Sequence, residues 1–464
     1  MVPLVIGSSY LIGGRIHLPP PPRLEPPLTT STALLDGSLF AADRALAESC
    51  RLPNAAYAVA VRMRDNGKRM PLPSEWIDPC REVGGGWEMP RRAPYTGPVV
   101  DRTVLPGAAV VAASIVLRSY QRDALKTWWN GDRNGVIVAP CGAGKTAIGL
   151  VAAAYCPTPT LVVVHTGDLL RQWAERGASA GFGDVATVSE GSGPVTGRLV
   201  VATMQTLALW GPLALEQWGS GFGLVIVDEA HHCPCSTLTD VLYALPGRWR
   251  LGLSATPERS DGLTPILFGH LGPVVATVDR AALIAAGVTI APRVVRVDTG
   301  WVPEADLDYG AMITAATEDE ERNRLIVATV ADLVAKGRHV LVQTERVEHS
   351  QELARRIGDH AVAVYGALSA KKRAALLARV ASGEVLVLVA TQLADEGLDL
   401  PILDALVLGV PQRNAARLEQ RVGRVSRAAP GKADAVVVDL VDGGKAGRLW
   451  YARRKVYAAI GCAS

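Results

Sequence analysis

The chain has 464 residues, and its 48 basic and 45 acidic side chains give a formal net charge of only +3. This near balance excludes a histone-like polycation, and a hydrophobic content of 49% with 20% charged residues excludes a chain that is disordered by composition. At roughly 100–200 residues per domain, the length predicts about three domains. The seven scattered cysteines are an odd number, which favours a reducing compartment over a disulfide framework.

No apolar stretch approaches the roughly 20 residues that cross a bilayer, and no basic leader precedes the apolar run at residues 2–6. The sequence therefore predicts a soluble, cytoplasmic protein without a membrane partner.

Residues 1–105 differ in character from the rest of the chain. The proline run at residues 19–22 favours extended polyproline geometry. Residues 56–61 form a short apolar run that predicts a strand, and residues 64–67 (Arg-Asp-Asn-Gly) predict a hairpin turn. We expect a small N-terminal β-containing domain here, with recognition of DNA or of a partner as its role.

From residue 106 onward, short β-branched runs alternate with amphipathic helical stretches. The apolar runs at residues 136–138, 161–164, 199–202 and 224–227 are typical of strands buried on both faces of a parallel sheet. The helical pattern lapses between residues 277 and 306, where we expect the join between two domains, and the alternation restarts near residue 339. This pattern predicts two tandem α/β domains with doubly wound parallel sheets, at residues 106–288 and 289–464.

The sharpest chemical signal is the segment Ala139-Pro-Cys-Gly-Ala-Gly-Lys-Thr146, between a predicted strand and an apolar helix. This is the setting of a phosphate-binding loop, in which glycines let backbone amides approach phosphate oxygens at a helix N-terminus. Lys145 is expected to reach the β- and γ-phosphates of ATP, and Thr146 to bind Mg²⁺ through its hydroxyl. The predicted nucleotide-binding residues are Pro140, Cys141, Gly142, Ala143, Gly144, Lys145 and Thr146.

A second signal follows the predicted strand at residues 224–227, which ends in Asp228-Glu229-Ala230-His231. Both carboxylates should lie at the carboxyl edge of the sheet, where open α/β folds bind their ligands. Asp228 is suited to hold Mg²⁺, and Glu229 is suited to orient and deprotonate an attacking water.

Lys145-Thr146 together with Asp228-Glu229-Ala230-His231 resembles the DEAH-type signature of superfamily 2 helicases. The resemblance covers about residues 115–440 and is closest to the XPB-like branch, which includes bacterial and phage members; residues 140–145 and 251–262 carry this closer match. It implies two RecA-like domains and a nucleic-acid-dependent ATPase that uses ATP and Mg²⁺.

The resemblance also implies roles around the nucleotide. Gln121 resembles the residue that reads adenine, since its amide both donates and accepts. Gly397 and Asp399 resemble a motif of the second domain that faces the nucleotide or the arginines of the last motif.

Gln420, Arg424 and Arg427 resemble the last helicase motif. The two arginines are three positions apart, which predicts one helical face. They would act as arginine fingers on the transferring phosphoryl group, with Gln420 near the γ-phosphate. Catalysis would then require domain closure, because the catalytic groups belong to different domains.

Other residues resemble the nucleic-acid contacts of the family, which bind phosphate and sugar and read no base. A threonine at such a place is alternatively a helix cap. At residues 259–261 the chain has Arg-Ser-Asp where XPB-like relatives carry Arg-Glu-Asp, a site linked to strand separation, so strand opening is less firmly implied than ATP hydrolysis. The predicted contacts are Thr166, Thr203, Gln205, Arg259, Thr344 and Thr391.

The sequence thus predicts an ATP-dependent DNA helicase or translocase. It would act as a monomer or within an assembly, near the nucleoid of a bacterial or phage-infected cell. Three alternatives stay open: an RNA helicase, a DNA translocase that remodels without separating strands, and a nucleotide-switched nucleic-acid-binding module.

Overall fold

The computed structural model describes residues 103–229, 235–255, 263–391 and 400–462, together with short strands between residues 5 and 89. Contacts divide the chain into two compact units: residues 1–139 with 144–278, and residues 279–464 with 140–143. None of the helices in these ranges is long and apolar enough to cross a membrane.

The described strands that precede residue 103 are short and antiparallel, and they pair as β1-β2-β3, β4-β8-β7 and β5-β6. The proline run, the strand predicted at residues 56–61 and the hairpin turn lie outside the described residues. The strands are β1 (Val5–Ile6), β2 (Ser9–Ile12), β3 (Arg15–His17), β4 (Leu39–Ala41), β5 (Leu52–Pro53), β6 (Trp76–Ile77), β7 (Arg81–Val83) and β8 (Gly86–Met89).

The main sheet of the first unit has seven parallel strands in the order β11-β12-β10-β13-β14-β9-β15. These strands are β9 (Asn134–Val138), β10 (Thr160–Val164), β11 (Val185–Val188), β12 (Leu199–Thr203), β13 (Leu224–Asp228), β14 (Trp249–Ser254) and β15 (Val274–Thr277). The helices are α1 (Ser119–Asn130), α2 (Lys145–Tyr155), α3 (Gly167–Ser179), α4 (Met204–Ala208), α5 (Pro212–Gly219), α6 (Cys235–Tyr243) and α7 (Thr264–Leu271).

Three neighbouring strands of this sheet position the predicted ATP site. In register, Asp228 of β13 pairs with Leu253 of β14, and Ser254 of β14 pairs with Val138 of β9. Since the strands are parallel, the segments that follow them emerge at one edge of the sheet. The phosphate loop and the two carboxylates are therefore brought together by strands that are distant in sequence.

The second unit contains a six-stranded parallel sheet in the order β16-β21-β20-β17-β19-β18. Its strands are β16 (Arg293–Asp298), β17 (Val340–Gln343), β18 (Ala361–Val364), β19 (Val387–Ala390), β20 (Ala405–Leu408) and β21 (Val436–Val441). Its helices are α8 (Arg280–Ala285), α9 (Tyr309–Glu318), α10 (Glu320–Ala335), α11 (Val347–Ile357), α12 (Ala370–Ala381), α13 (Ala415–Val425) and α14 (Gly444–Ala459).

Two apolar clusters cover the two faces of this sheet. One contains Leu418 of α13, Val380 of α12 and Tyr457 of α14, and the other contains Ile326 of α10 and Leu353 of α11. The prediction of two parallel-sheet α/β domains is confirmed. The range in which the join between the domains was expected, residues 277–306, contains α8 and the edge strand β16. Charged residues interrupt the valines of β16, and the strand is exposed or half-exposed along its length, which hides it from a search for apolar runs.

Candidate active site

The phosphate loop joins β9 to α2 through two glycines in left-handed conformations. Gly142 has φ of 86°, and Gly144, which precedes the first turn of α2, has φ of 79°. Side chains other than glycine are disfavoured there, because Cβ meets the following carbonyl. The loop therefore turns back toward the start of α2, where free amides and the helix dipole favour an anion.

Lys145 and Glu229 form an ion pair in which Nζ lies 2.8 Å from Oε1. The ammonium group also donates to the carbonyl oxygen of Ala139 at 3.3 Å. Glu229 has φ of 50°, and the only other non-glycine residue with positive φ in the part of the chain that the structure describes is Arg133. Such a conformation costs about 1–3 kcal/mol and is typical of residues that the surrounding structure holds for function.

Asp228 is buried, with 4% of its surface exposed. Its Oδ2 accepts a hydrogen bond of 2.8 Å from the indole nitrogen of Trp173, whereas Oδ1 has no hydrogen-bond partner within the described ranges. Burial, followed by the charge of Glu229, raises the pKa of Asp228 to about 6, and Lys145 and Trp173 oppose this shift.

These residues fit a Mg²⁺ ion. Asp228 offers an unsatisfied carboxylate oxygen, and the hydroxyl of Thr146 starts from the first turn of α2; both are hard oxygen ligands of the kind that Mg²⁺ prefers. A nearby divalent charge would also offset the cost of keeping Asp228 ionised in the interior.

Gln121 is buried and lies against the phosphate loop. Its Oε1 accepts a hydrogen bond of 2.9 Å from the backbone nitrogen of Arg118, and an added Cβ on Gly144 would lie 2.4 Å from its Nε2. The structure thus brings the predicted adenine-reading residue to the loop, a second reason for glycine at position 144.

In the second unit, Gln420 and Arg424 lie on α13, but Arg427 does not. The helix ends at Val425, and Arg427 forms an antiparallel bridge with Thr289. Backbone hydrogen bonds from Ile290 to Ser426 and from Ala428 to Val288 hold this segment in extended pairing. The expectation that both arginines share one helical face is therefore wrong, because tertiary pairing ends the helix between them.

The hydroxyls predicted to contact nucleic acid in the first unit have partners within the protein. Thr166 caps α3 by accepting from the Leu169 amide at 3.3 Å, and the hydroxyls of Thr203 and Thr206 lie 2.7 Å apart. Gln205 is exposed and donates to the carbonyl oxygen of His165 at 2.8 Å. Of these three residues, Gln205 is the most exposed to solvent.

Thr344 and Thr391 follow β17 and β19 at the carboxyl edge of the second sheet, and both are buried. The hydroxyl of Thr344 lies 2.7 Å from Nδ1 of His349, whose Nε2 lies 2.8 Å from Oδ1 of Asn323. The contacts at Thr166, Thr203, Gln205, Thr344 and Thr391 stay predictions. Arg259, Gly397 and Asp399 lie outside the described residues, as do Ala230 and His231.

Two partners of site residues were not predicted from sequence. Trp173 on α3 donates a hydrogen bond to Asp228, which lies 55 positions further along the sequence, and no local sequence pattern predicts that contact. His349 is a polar position on the inner side of an amphipathic helix, a signal that identifies a buried group without identifying its partners.

Two regions of the chain match known protein families. Residues 114–259 match "Type III restriction enzyme, res subunit", and residues 321–429 match "Helicase conserved C-terminal domain". The first range holds the phosphate loop and both carboxylates, and the second holds Gln420, Arg424 and Arg427.

Among curated proteins, the chain is 26% identical to "DNA 3'-5' translocase XPB2" of Sulfurisphaera tokodaii, over 75% of this chain and 86% of that protein. It is 31% identical to "DNA 3'-5' helicase XPB" of Mycobacterium tuberculosis, over 67% of this chain and 58% of that protein. For six of the curated relatives, the chain spans less than two thirds of the relative's own length, with shares from 52% to 64%.

The fold resembles those of solved structures at low sequence identity. Saccharomyces cerevisiae Dbp5 bound to RNA and ADP BeF3 matches with a TM-score of 0.55 at 16% identity, over 75% of this chain and 89% of that one. The restriction-modification enzyme LlaBIII bound to DNA matches with a TM-score of 0.54 at 17% identity, over 74% of this chain and 30% of that one. These likenesses show the fold alone, that of two RecA-like domains. The two family regions and the helicase relatives support a helicase of superfamily 2.

Proposed function

We propose that the protein is an ATP-dependent motor that moves along DNA or unwinds it. The observation that carries this proposal is the arrangement at the carboxyl edge of the first sheet. There a phosphate loop, the Lys145–Glu229 ion pair and the buried Asp228 carboxylate come together. Relatives described as DNA helicases and a DNA translocase favour DNA as the substrate.

ATP binding exchanges the partners of the ion pair. The phosphate oxygens compete with Glu229 for the Lys145 ammonium group. ATP binding therefore releases the Glu229 carboxylate from its ion pair with Lys145. Glu229 then accepts a proton from the attacking water, whose oxygen bonds to the γ-phosphorus while the bond from that phosphorus to ADP breaks and ADP leaves. Because the Glu229 amide donates to the Leu253 carbonyl at 2.8 Å, the backbone stays fixed during this exchange.

The Thr146 hydroxyl and the Asp228 carboxylate would hold Mg²⁺, and the ion would neutralise charge on the phosphate oxygens. Trp173 orients the Asp228 carboxyl by donating a hydrogen bond to Oδ2, so Oδ1 would be the oxygen available to the ion. Residues 228–231 serve as the acidic motif of the DEAH type in this proposal.

Residues of the second unit complete the chemistry. Arg424 and Arg427 stabilise charge on the transferring phosphoryl group, Gln420 orients the water, and Gly397 and Asp399 support the arginines. Nucleic acid contacts Thr166, Thr203, Gln205, Arg259, Thr344 and Thr391 through phosphate and sugar, so binding is salt-sensitive and largely independent of sequence.

The test is the ATPase rate of the full chain without nucleic acid and with single-stranded, duplex and forked DNA, and with RNA of the same sequence. We expect stimulation by DNA. Stimulation by RNA alone would replace DNA with RNA as the substrate, and an unstimulated rate with every polymer would refute the proposal.

A Glu229→Gln variant is the control for the chemistry. The amide keeps the size of the side chain and removes the base, so we expect turnover to fall by roughly 10²–10⁴-fold while ATP still binds. Equal turnover in this variant would contradict the assigned base. A strand-displacement assay on forked DNA then separates unwinding from translocation without strand separation.

A further inference from the structure

Helices α10 and α11, on one face of the second sheet, differ in charge pattern from α14, on the other face. On one face, exposed arginines and lysines have carboxylate partners: Arg324 pairs with Glu320, Arg355 with Glu352, and Lys336 with Asp332. On the other face lies α14, whose sequence Gly-Lys-Ala-Gly-Arg-Leu-Trp-Tyr-Ala-Arg-Arg-Lys-Val-Tyr-Ala-Ala contains five basic residues and no acidic one.

Three cations of α14 are exposed and unpaired. Arg448, Arg454 and Lys455 have neither an ion pair nor a hydrogen bond within the described part of the chain. Tyr451 lies among them with 66% of its surface exposed. Of the other two, Lys445 donates to the Leu307 carbonyl oxygen at 3.0 Å, and Arg453 is buried against Asp439.

Helical geometry places these side chains on one side. At about 100° per residue, Arg448, Tyr451, Arg454 and Lys455 fall within an arc of about 120°, opposite the buried Ala446, Arg453 and Tyr457. Arg448 and Lys455 are separated by about 10 Å along the axis, which spans roughly three nucleotide steps of a strand.

The charge at the start of α14 does not stabilise the helix. Lys445 lies in the first turn, where the macrodipole favours acidic side chains, and that turn has none. A solvated face kept only for solubility would be expected to mix the two signs, as α10 and α11 do. The pattern therefore indicates an anionic ligand.

The position of α14 and the nature of its neighbours favour nucleic acid. Two residues separate the end of β21 from the start of the helix, at the sheet edge that carries Thr344 and Thr391, and the helix runs back along the outer face. Its exposed arc otherwise offers Ala452, Ala458 and Ala459, without the large aliphatic side chains that an interfacial membrane helix inserts.

We propose that the exposed face of α14, formed by Arg448, Tyr451, Arg454 and Lys455, is a nucleic-acid-binding surface separate from the contacts at the strand ends. This inference rests on the proposed function. The three cations bind backbone phosphates and Tyr451 stacks on a base or sugar, so the surface holds the polymer beside the second domain without reading its sequence.

The test compares two triple variants with the same charge change. Arg448→Gln/Arg454→Gln/Lys455→Gln removes the α14 cations, and Arg324→Gln/Lys336→Gln/Arg355→Gln removes three exposed cations from the opposite face. DNA affinity is measured against salt concentration, and ATPase is measured against DNA concentration. Thermal unfolding checks that both variants are folded.

For the α14 variant we expect the slope of log affinity against log salt to fall by about 2–3, at roughly 0.7–0.9 per lost phosphate contact. The DNA concentration for half-maximal ATPase should rise about tenfold, while ATPase without DNA is unchanged. The control variant should change the slope by less than about 1. Tyr451→Ala should weaken binding and Tyr451→Phe should preserve it, since only the ring is needed.

Equal slopes for the two triple variants would overturn the inference, because net charge alone would then explain the effect. Unchanged DNA binding with lost binding to phosphatidylserine vesicles would overturn it in favour of a membrane surface. A wild-type chain that neither binds DNA nor responds to it refutes the proposed function instead, so the two failures are distinguishable.

Discussion

Lys145 and Glu229 hold each other in the conformation that the phosphate site needs. The carboxylate is supported by the Ala255 amide at 3.4 Å and by the ammonium group at 2.8 Å, which together offset a left-handed backbone at Glu229. Both charges are mostly shielded from water, so the pair is screened less by salt than an exposed pair. The same side chains are thus kept in place before a ligand arrives.

His349 links the stability of the second unit to pH. Burial first, and then the charges of Arg322 and Arg356, lower the pKa of His349 from 6.5 to about 3, with Glu352 opposing. The unfolded chain therefore takes up a proton as pH falls through 6.5, while the folded chain stays neutral until about 3. The contribution of His349 to the free energy of unfolding is fully present above pH 6.5 and is lost as the pH falls from 6.5 to about 3.

We predict that wild-type protein loses about 1 kcal/mol more unfolding free energy than His349→Gln between about pH 7.5 and about pH 5.5. Glutamine keeps a polar group at this position and does not titrate. Urea denaturation of both proteins at the two pH values measures the difference. The same pH dependence in both proteins would mean that His349 is protonated in the folded state.

Among the elements, α14 is fixed to the sheet by one buried carboxylate. Asp439 of β21 accepts hydrogen bonds of 2.7 and 2.8 Å from the Arg453 guanidinium, and a further bond of 2.7 Å from the Tyr457 hydroxyl. Burial and the charge of Asp439 raise the pKa of Tyr457 above its ordinary value, so the hydroxyl stays a donor. The proposed nucleic-acid surface is therefore carried on a rigidly placed helix.

We predict that Asp439→Asn destabilises the second unit by about 3–5 kcal/mol, because it leaves the Arg453 charge buried without a carboxylate. Tyr457→Phe removes one hydrogen bond and should cost about 1 kcal/mol. Arg448→Gln on the exposed side of the same helix should cost less than about 0.5 kcal/mol. Chemical denaturation followed by circular dichroism ranks the three, and equal costs for Asp439→Asn and Tyr457→Phe would show that the ion pair is not the anchor.

At the scale of the whole molecule, the proposed reaction draws on both units, since Lys145 belongs to one and Arg424 and Arg427 to the other. We predict that Arg424→Ala and Arg427→Ala each lower kcat for DNA-stimulated ATPase by roughly 10³-fold or more, with little change in KM for ATP. Arg379→Ala, an exposed arginine paired with Glu384, is the control and should leave kcat unchanged. A normal kcat in both arginine variants would remove the second unit from the chemistry.

The sequence by itself determined the phosphate loop, the two carboxylates and the two parallel sheets. These features are local: glycines that adopt left-handed conformations at positions 142 and 144, a strand that ends in Asp228, and apolar runs that are typical of buried strands.

Tertiary structure alone decided the rest. Trp173 donates to Asp228, Asn323 lies against His349, and Arg427 pairs with Thr289 beyond the end of its helix, all through contacts between segments far apart in the chain. The edge strand β16 likewise depends on its distant neighbour β21. No local pattern encodes such partners, because the free energy of a buried contact depends on which distant groups the fold brings together.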